Sequence, residues 1–197
     1  PIIGVLAHAT EEGFRPNAQW FGEGLAKGGI EIGRDVTLTF AYTDGRADRI
    51  AALTADLISR KVVLIATTGD TPTQVVRKST STIPIVFSIG TDPVAQGLVS
   101  SLNRPGGNLT GVTTLNYELG QKRIEVFHEL IPKGAQIALL HNPASAFAAG
   151  ALRDVQSAAQ RFGRELLIFE ARTLPEIEAV FPTIRERQPG GLVINAD

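Results

Sequence analysis

The sequence contains no cysteine, no methionine, one tryptophan and two tyrosines. The missing thiols exclude disulfides, thiolate nucleophiles and cysteine-based zinc sites together. That composition fits an exported bacterial protein and a cytosolic one equally well. An excess of one charge is missing too: the formal net charge is −1, with no basic block. This argues against nucleic acid or an anionic membrane as a partner, since both recruit clustered Lys and Arg. No apolar run reaches the ~20 residues of a membrane-spanning helix. No secretory leader is visible either, and since Pro1 is not a native start, a signal peptide is expected to have been removed.

Enzyme signatures are also lacking. Leu6-Ala7-His8-Ala9 stands where a G-x-G-x-x-G would follow the first strand, and neither a Walker A loop nor a G-x-S-x-G elbow occurs. A phosphorylation receiver needs acidic residues directly after its first strand, but Glu11 and Glu12 come late and Asp70 lies beyond the third strand. His8, His128 and His141 show no His-x-x-x-His spacing and no adjoining carboxylate pair. A non-enzymatic protein without metal or cofactor is the expectation.

What is present reads as α/β. Of the 197 residues 43% are hydrophobic and 20% charged, enough for one large domain or parts of two. Apolar strands are expected at residues 1–7, 36–42, 62–66, 83–88, 109–112, 137–140, 166–169 and 192–194. Between them lie helical patterns: one beginning near Pro16 with Trp20, Phe21 and Leu25 buried and closed by Gly28-Gly29, and one carrying Ile50, Leu53 and Leu57. Others carry Val75-Val76; Gly120, Ile124, Phe127 and Ile131; and Leu152, Val155, Ala159 and Phe162. The last follows Thr173-Leu-Pro-Glu176, a capping-box spacing, with Ile177, Val180, Phe181 and Ile184 as its core face. Thr71-Pro72 and Asp92-Pro93 each read as a helix start, because proline at the first helical position loses no hydrogen bond. Strict alternation of strand and helix predicts parallel sheets with right-handed crossovers. Four or five strands precede Thr114 and three follow Gly120, so residues 1–114 are expected to form a whole α/β lobe and 115–197 the first part of a second.

Ligands of open parallel sheets bind beyond the carboxyl ends of the strands. That rule nominates loops rich in Thr, Ser, Asn and Gly, from which the candidate ligand-binding residues are His8, Thr10, Thr68, Gly69, Thr71, Ser88, Thr91, Asp92, Thr114, His141, Asn142 and Asp197. Thr68-Gly69-Asp70-Thr71-Pro72 enters a helix, whose first N–H groups and dipole suit a carboxylate or phosphate. Asp70 would oppose an anion or hold an ammonium group, and Thr71 and Asp92 also fit simple helix caps, so both readings stand. Asn108-Leu109-Thr110 matches the glycosylation triplet but reads as a turn.

The central string Asp92-Pro93-Val94, Gly97-Leu98-Val99 and residues 102–111 (LNRPGGNLTG), with residues 43–49 (TDGRADR) and Asn142-Pro143-Ala144, resembles the ABC transporter substrate-binding proteins of the tryptophan/tyrosine uptake type. The resemblance implies two Rossmann-like lobes of the type I periplasmic-binding-protein kind, joined by a hinge that closes like a clamshell on a small polar solute. It also implies a periplasmic or extracytoplasmic monomer that docks on an ABC permease. An amino acid or related carboxylate is the expected solute, with Thr68, Gly69 and Thr71 on its carboxylate and Asp92 or Asp197 on its amine. The alternative is the effector-sensing domain of a transcription regulator with the same architecture.

Overall fold

The computed structural model describes residues 1–145 and 148–195. The chain divides into two compact units, Pro1–Thr114 and Leu115–Asp197.

In the first unit, β1 (Ile2–Ala7), β2 (Thr37–Tyr42), β3 (Leu64–Thr68), β4 (Ile85–Ile89) and β5 (Leu109–Thr113) form one parallel sheet in the order β2-β1-β3-β4-β5. Both faces are covered, which is why the inner strands read as unbroken apolar runs. Leu6, Ile65, Ile85 and Phe87 pack with Ile50 and Leu57 of α2 (Ile50–Ser59) and Val76 of α3 (Asp70–Ser79). On the opposite face Ile3, Val5 and Ala7 pack with Phe14 of α1 (Glu11–Lys27). There Phe14 lies 6.4 Å from Phe40 and 6.2 Å from Tyr42, ring centre to ring centre. The alternation of β2 marks it as an edge strand, and the sheet order puts it at the edge.

Two expectations fail here. α1 does not begin near Pro16 but at Glu11, with the Thr10 hydroxyl accepting from Gly13 N at 3.1 Å. Pro16 sits inside the helix, Phe14 is the buried aromatic and Trp20 is 64% exposed. Asp92-Pro93 starts no helix either: Asp92 Oδ1 accepts from Val94 N, and one turn is closed by Gln96 N–H to Asp92 O at 3.0 Å. Gly97 then takes φ +64°, the left-handed region, and Leu98 N reaches back to Pro93 O at 2.8 Å. The cap is real, but the glycine ends the turn before a second can form.

In the second unit β6 (Ile137–His141), β7 (Leu166–Glu170) and β8 (Gly191–Ile194) form a parallel sheet in the order β7-β6-β8. α4 (Gly120–Leu130), α5 (Ala148–Arg161) and α6 (Leu174–Arg187) complete it. Ile137 and Leu139 are packed against Ile124 of α4 and against Val155, Ala158 and Ala159 of α5. A Cβ on Gly120 would lie 3.2 Å from Val155 Cγ2, so this glycine admits the close approach of α4 to α5. Thr173 caps α6, its hydroxyl accepting from Glu176 N, while the Glu176 carboxylate accepts from Arg172 N at 2.8 Å. Phe181, expected in the core, is 45% exposed, and Ile184 is the buried residue of that helix.

His128 is structural. Arg164, 8% exposed, donates from Nε to His128 Nδ1 at 2.9 Å and from its terminal nitrogens to His128 O (2.9 Å) and Pro132 O (2.8 Å). One guanidinium thus satisfies carbonyls that the end of α4 leaves open.

Candidate functional site

The carboxyl ends of the first unit's strands are fixed to one another by side chains. β3 runs two residues further than its apolar run suggests, so Thr67 and Thr68 belong to the strand. Thr68 pairs in register with Ala7 on one side and Ser88 on the other. Gly69 follows at φ +94°, a conformation that glycine adopts without strain, and its N–H donates to Ser88 O at 2.9 Å. α3 opens directly behind it. Thr71 is therefore not the cap of α3, which has Gly69 at that position and no side-chain cap. Instead Thr73 donates to Gly69 O at 2.7 Å and receives the Thr67 hydroxyl at 2.8 Å. Thr71 is left partly exposed in the first turn, where the backbone N–H groups have no carbonyl four residues back within the helix.

Asp70 turns its carboxylate to the loop after β4. The residue is 8% exposed, and its carboxylate accepts from Gly90 N at 3.1 Å, from Thr91 N at 3.2 Å and from the Thr91 hydroxyl. The loop after β3 therefore holds the loop after β4. That loop is tied onward, because the Thr113 hydroxyl donates to Thr91 O at 2.6 Å and Thr114 N donates to Ile89 O at 3.0 Å. At the other end of the sheet His8 Nδ1 lies 2.7 Å from the hydroxyl of fully buried Thr43. The Cβ of His8 is 3.6 Å from where a Gly69 Cβ would stand.

Of the candidate residues in this unit, Thr68, Gly69, Thr71, Ser88 and Thr91 lie at the strand ends and loops that the Asp70 and Gly69 bonds hold together, while His8 is tied to Thr43 beyond β2. Thr10 is exposed and caps α1; Thr114 is exposed at the end of the unit; Asp92 is partly exposed and gives one oxygen to Val94 N. Thr43 was missed. Its signal was position: it stands one residue beyond β2, in the row that His8 occupies one residue beyond β1, and Ala7 pairs with Tyr42.

In the second unit His141 ends β6, and its side chain is only 4% exposed. Neither ring nitrogen has a hydrogen-bond partner among the described residues. Asn142 is partly buried and its Oδ1 accepts from Ala144 N at 2.9 Å. Asp197 lies outside the described residues. No group of three or more His, Cys, Asp or Glu able to hold a metal occurs among the described residues, and no helix among them is long and apolar enough to cross a membrane.

Comparison with known proteins gives this architecture relatives. A family model described as "ABC transporter substrate binding protein" matches residues 2–197. A curated relative, the tyrosine-binding protein of Clostridioides difficile, is 30% identical over 122 residues, covering 62% of this chain and 35% of the relative. Among solved structures, an ABC domain from Streptococcus pneumonia in complex with L-Trp superposes with a TM-score of 0.80 at 21% identity, over 100% of this chain and 65% of its own. A conserved domain protein from Vibrio cholerae gives 0.80 at 23% identity, over 94% of this chain and 62% of its own. The leucine-binding protein LivK from Thermotoga maritima gives 0.67 at 15%, over 98% and 55%. At these identities the structures establish a shared fold, that of the type I periplasmic binding proteins. The chain spans about a third of the curated relative's length and under two thirds of these three solved chains.

Proposed function

The chain belongs to the ABC transporter substrate-binding protein family, and we propose that it is the solute-binding part of an amino-acid receptor for an ABC importer. The observation that carries this reading is the laced rim at the carboxyl end of the first sheet, where Asp70, Gly90, Thr91 and Thr113 hold three loops in one arrangement. A receptor binds tightly when its polar groups are held in place before the solute arrives, because less freedom is then lost on binding.

On this rim the first turn of α3 is the natural seat for a solute carboxylate. The N–H groups at Asp70 and Thr71 and the hydroxyls of Thr68 and Thr71 are hydrogen-bond donors, and the helix dipole favours negative charge. Asp70 supports this seat while directing its own charge into the neighbouring loop. Relatives of this fold are named for tyrosine and leucine, and one was solved in complex with L-Trp, so an α-amino acid is the solute class proposed. Clamshell closure, an extracytoplasmic location and docking on a membrane permease follow as further parts of the proposal. A family of receptors offers no reaction to account for, and family membership favours this reading over an effector-sensing domain. Mass spectrometry of small molecules that co-purify with the protein tests it: an amino acid supports the proposal, and a phosphorylated or sugar ligand in its place overturns it.

A further inference from the structure

The rim at the carboxyl end of the first sheet is rich in hydrogen-bond donors and poor in cations. Residues 68–72 and 88–93, at the ends of β3 and β4, include Asp70 and Asp92 but no Lys or Arg. Beyond β1 the charged residues are again acids, Glu11 and Glu12, in the first turn of α1. Beyond β2, Arg46 and Arg49 are paired with Asp48 and Asp44. Arg77 and Lys78 stand in the last turn of α3, at the far end from the rim.

Among these acids Asp70 is the buried one, 8% exposed at the first position of α3. One carboxylate oxygen accepts from Gly90 N at 3.1 Å, and the other accepts from Thr91 N at 3.2 Å and from the Thr91 hydroxyl. All three donors are uncharged. No ion pair of Asp70 occurs among the described residues. A buried charge that is hydrogen-bonded but not ion-paired keeps its field, because its surroundings screen it weakly. That field opposes the positive end of the α3 dipole, where Asp70 itself sits. Thr71, the next residue, therefore offers hydrogen bonds in a place with little net positive charge. Sites for doubly charged oxyanions add Arg or Lys to such donors, and this rim has neither.

We propose that Asp70 is a specificity-determining residue, one that limits the rim to a singly charged group. A carboxylate is admitted, and a phosphate or phosphonate dianion is refused. This rests on the reading of the protein as an amino-acid receptor. A carboxylate brings one negative charge, which the donors of Thr68 and Thr71 satisfy. A dianion brings a second charge within about one helical turn of Asp70, ~5 Å. No cation of the rim offsets that repulsion.

The test begins with calorimetric titration of the protein with L-tyrosine, L-tryptophan and L-leucine. Whichever binds is compared with its aminophosphinic and aminophosphonic analogues. Their tetrahedral heads carry one and two negative charges once the phosphonate is fully ionised. The phosphonate is expected to bind roughly ten- to hundredfold more weakly than the phosphinate. The gap should close at a pH below the second phosphonate ionisation. In Asp70→Asn, whose side-chain oxygen can still accept from Thr91, the gap is expected to shrink to about threefold or less. In Asp92→Asn it is expected to persist. A merely structural Asp70 would weaken every ligand by one factor and leave the gap unchanged, which overturns the assignment. Analogues that bind equally well or equally poorly to the unmodified protein overturn it too, as does a gap that vanishes in Asp92→Asn. Should Asp70→Asn fail to fold, a pH-dependent gap that survives in Asp92→Asn supports the assignment. In each of these outcomes the receptor reading stands. If the unmodified protein binds none of the three amino acids, both are overturned.

Discussion

Asp70 and Thr91 are joined twice, by the Thr91 backbone N–H at 3.2 Å and by its hydroxyl, both onto the same carboxylate oxygen. Twenty-one residues separate them in sequence, yet this link decides how the loops after β3 and β4 face one another. Asp70→Ala would leave the Thr91 N–H, the Gly90 N–H and a hydroxyl without their acceptor in a buried setting. A loss of about 2–4 kcal/mol in stability is expected, together with weaker solute binding. Urea unfolding and titration of the same variant check the two effects. Thr91→Val, which keeps the backbone bond, is expected to lose only about 1 kcal/mol.

Arg164 should be the most sensitive charged residue of the second unit. It is buried, and its guanidinium bonds to His128 Nδ1 and to carbonyls at the end of α4. Arg164→Leu removes the cation and orphans those acceptors, so a loss of about 3 kcal/mol is expected. Hydrogen exchange should speed up first at the amides of residues 128–131, ahead of the first unit.

Gly111 cannot be replaced. A Cβ there would collide with Phe87 O and with the Phe87 ring. Gly111→Ala must separate β5 from β4 across a register pair. Loss of soluble expression, or destabilisation of about 3 kcal/mol or more, is the expected outcome, while Gly107→Ala, with open space around its Cβ, should be tolerated.

Tyr42 gives the fold a dependence on alkaline pH. Burial, and secondarily the Glu11 carboxylate, raise its phenol above the ordinary value. An acid whose folded pKa exceeds its unfolded one gives up a proton more readily when unfolded. Its stabilising contribution is therefore present below about pH 10 and is lost as pH rises through the higher folded value. Tyr42→Phe should flatten this alkaline limb of the stability curve and leave the neutral region nearly unchanged; an identical limb in the variant would show that Tyr42 is not its source.

The sheets were legible because buried parallel strands leave continuous apolar runs, as at residues 137–140, and their order at the edge was legible from the alternation of β2. Helix starts were harder. Thr10 and Thr71 both stand at the start of a helix, yet one caps it and the other does not, because Gly69 at positive φ lets α3 begin at Asp70, two residues ahead of Pro72. The loops of the candidate site could be named from the rule about strand ends, but their lacing could not. In sequence Asp70 reads as a charge that opposes an anion or holds an ammonium group, and only the proximity of β4 turns it into an internal acceptor. His141 was nominated for its position; that its ring is buried beside Glu170 depends on strand register, which no local pattern encodes.

The central claim is that the first turn of α3 receives the carboxylate of an amino acid. Calorimetric titration of the protein and its Thr71→Val and Thr68→Val variants with L-tyrosine, L-tryptophan and L-leucine measures this directly. The account predicts saturable one-to-one binding of at least one of the three, weakened roughly ten- to hundredfold when both hydroxyls are removed, with the fold intact by circular dichroism. Absence of binding in the unmodified protein, or binding that is indifferent to both substitutions, would contradict it.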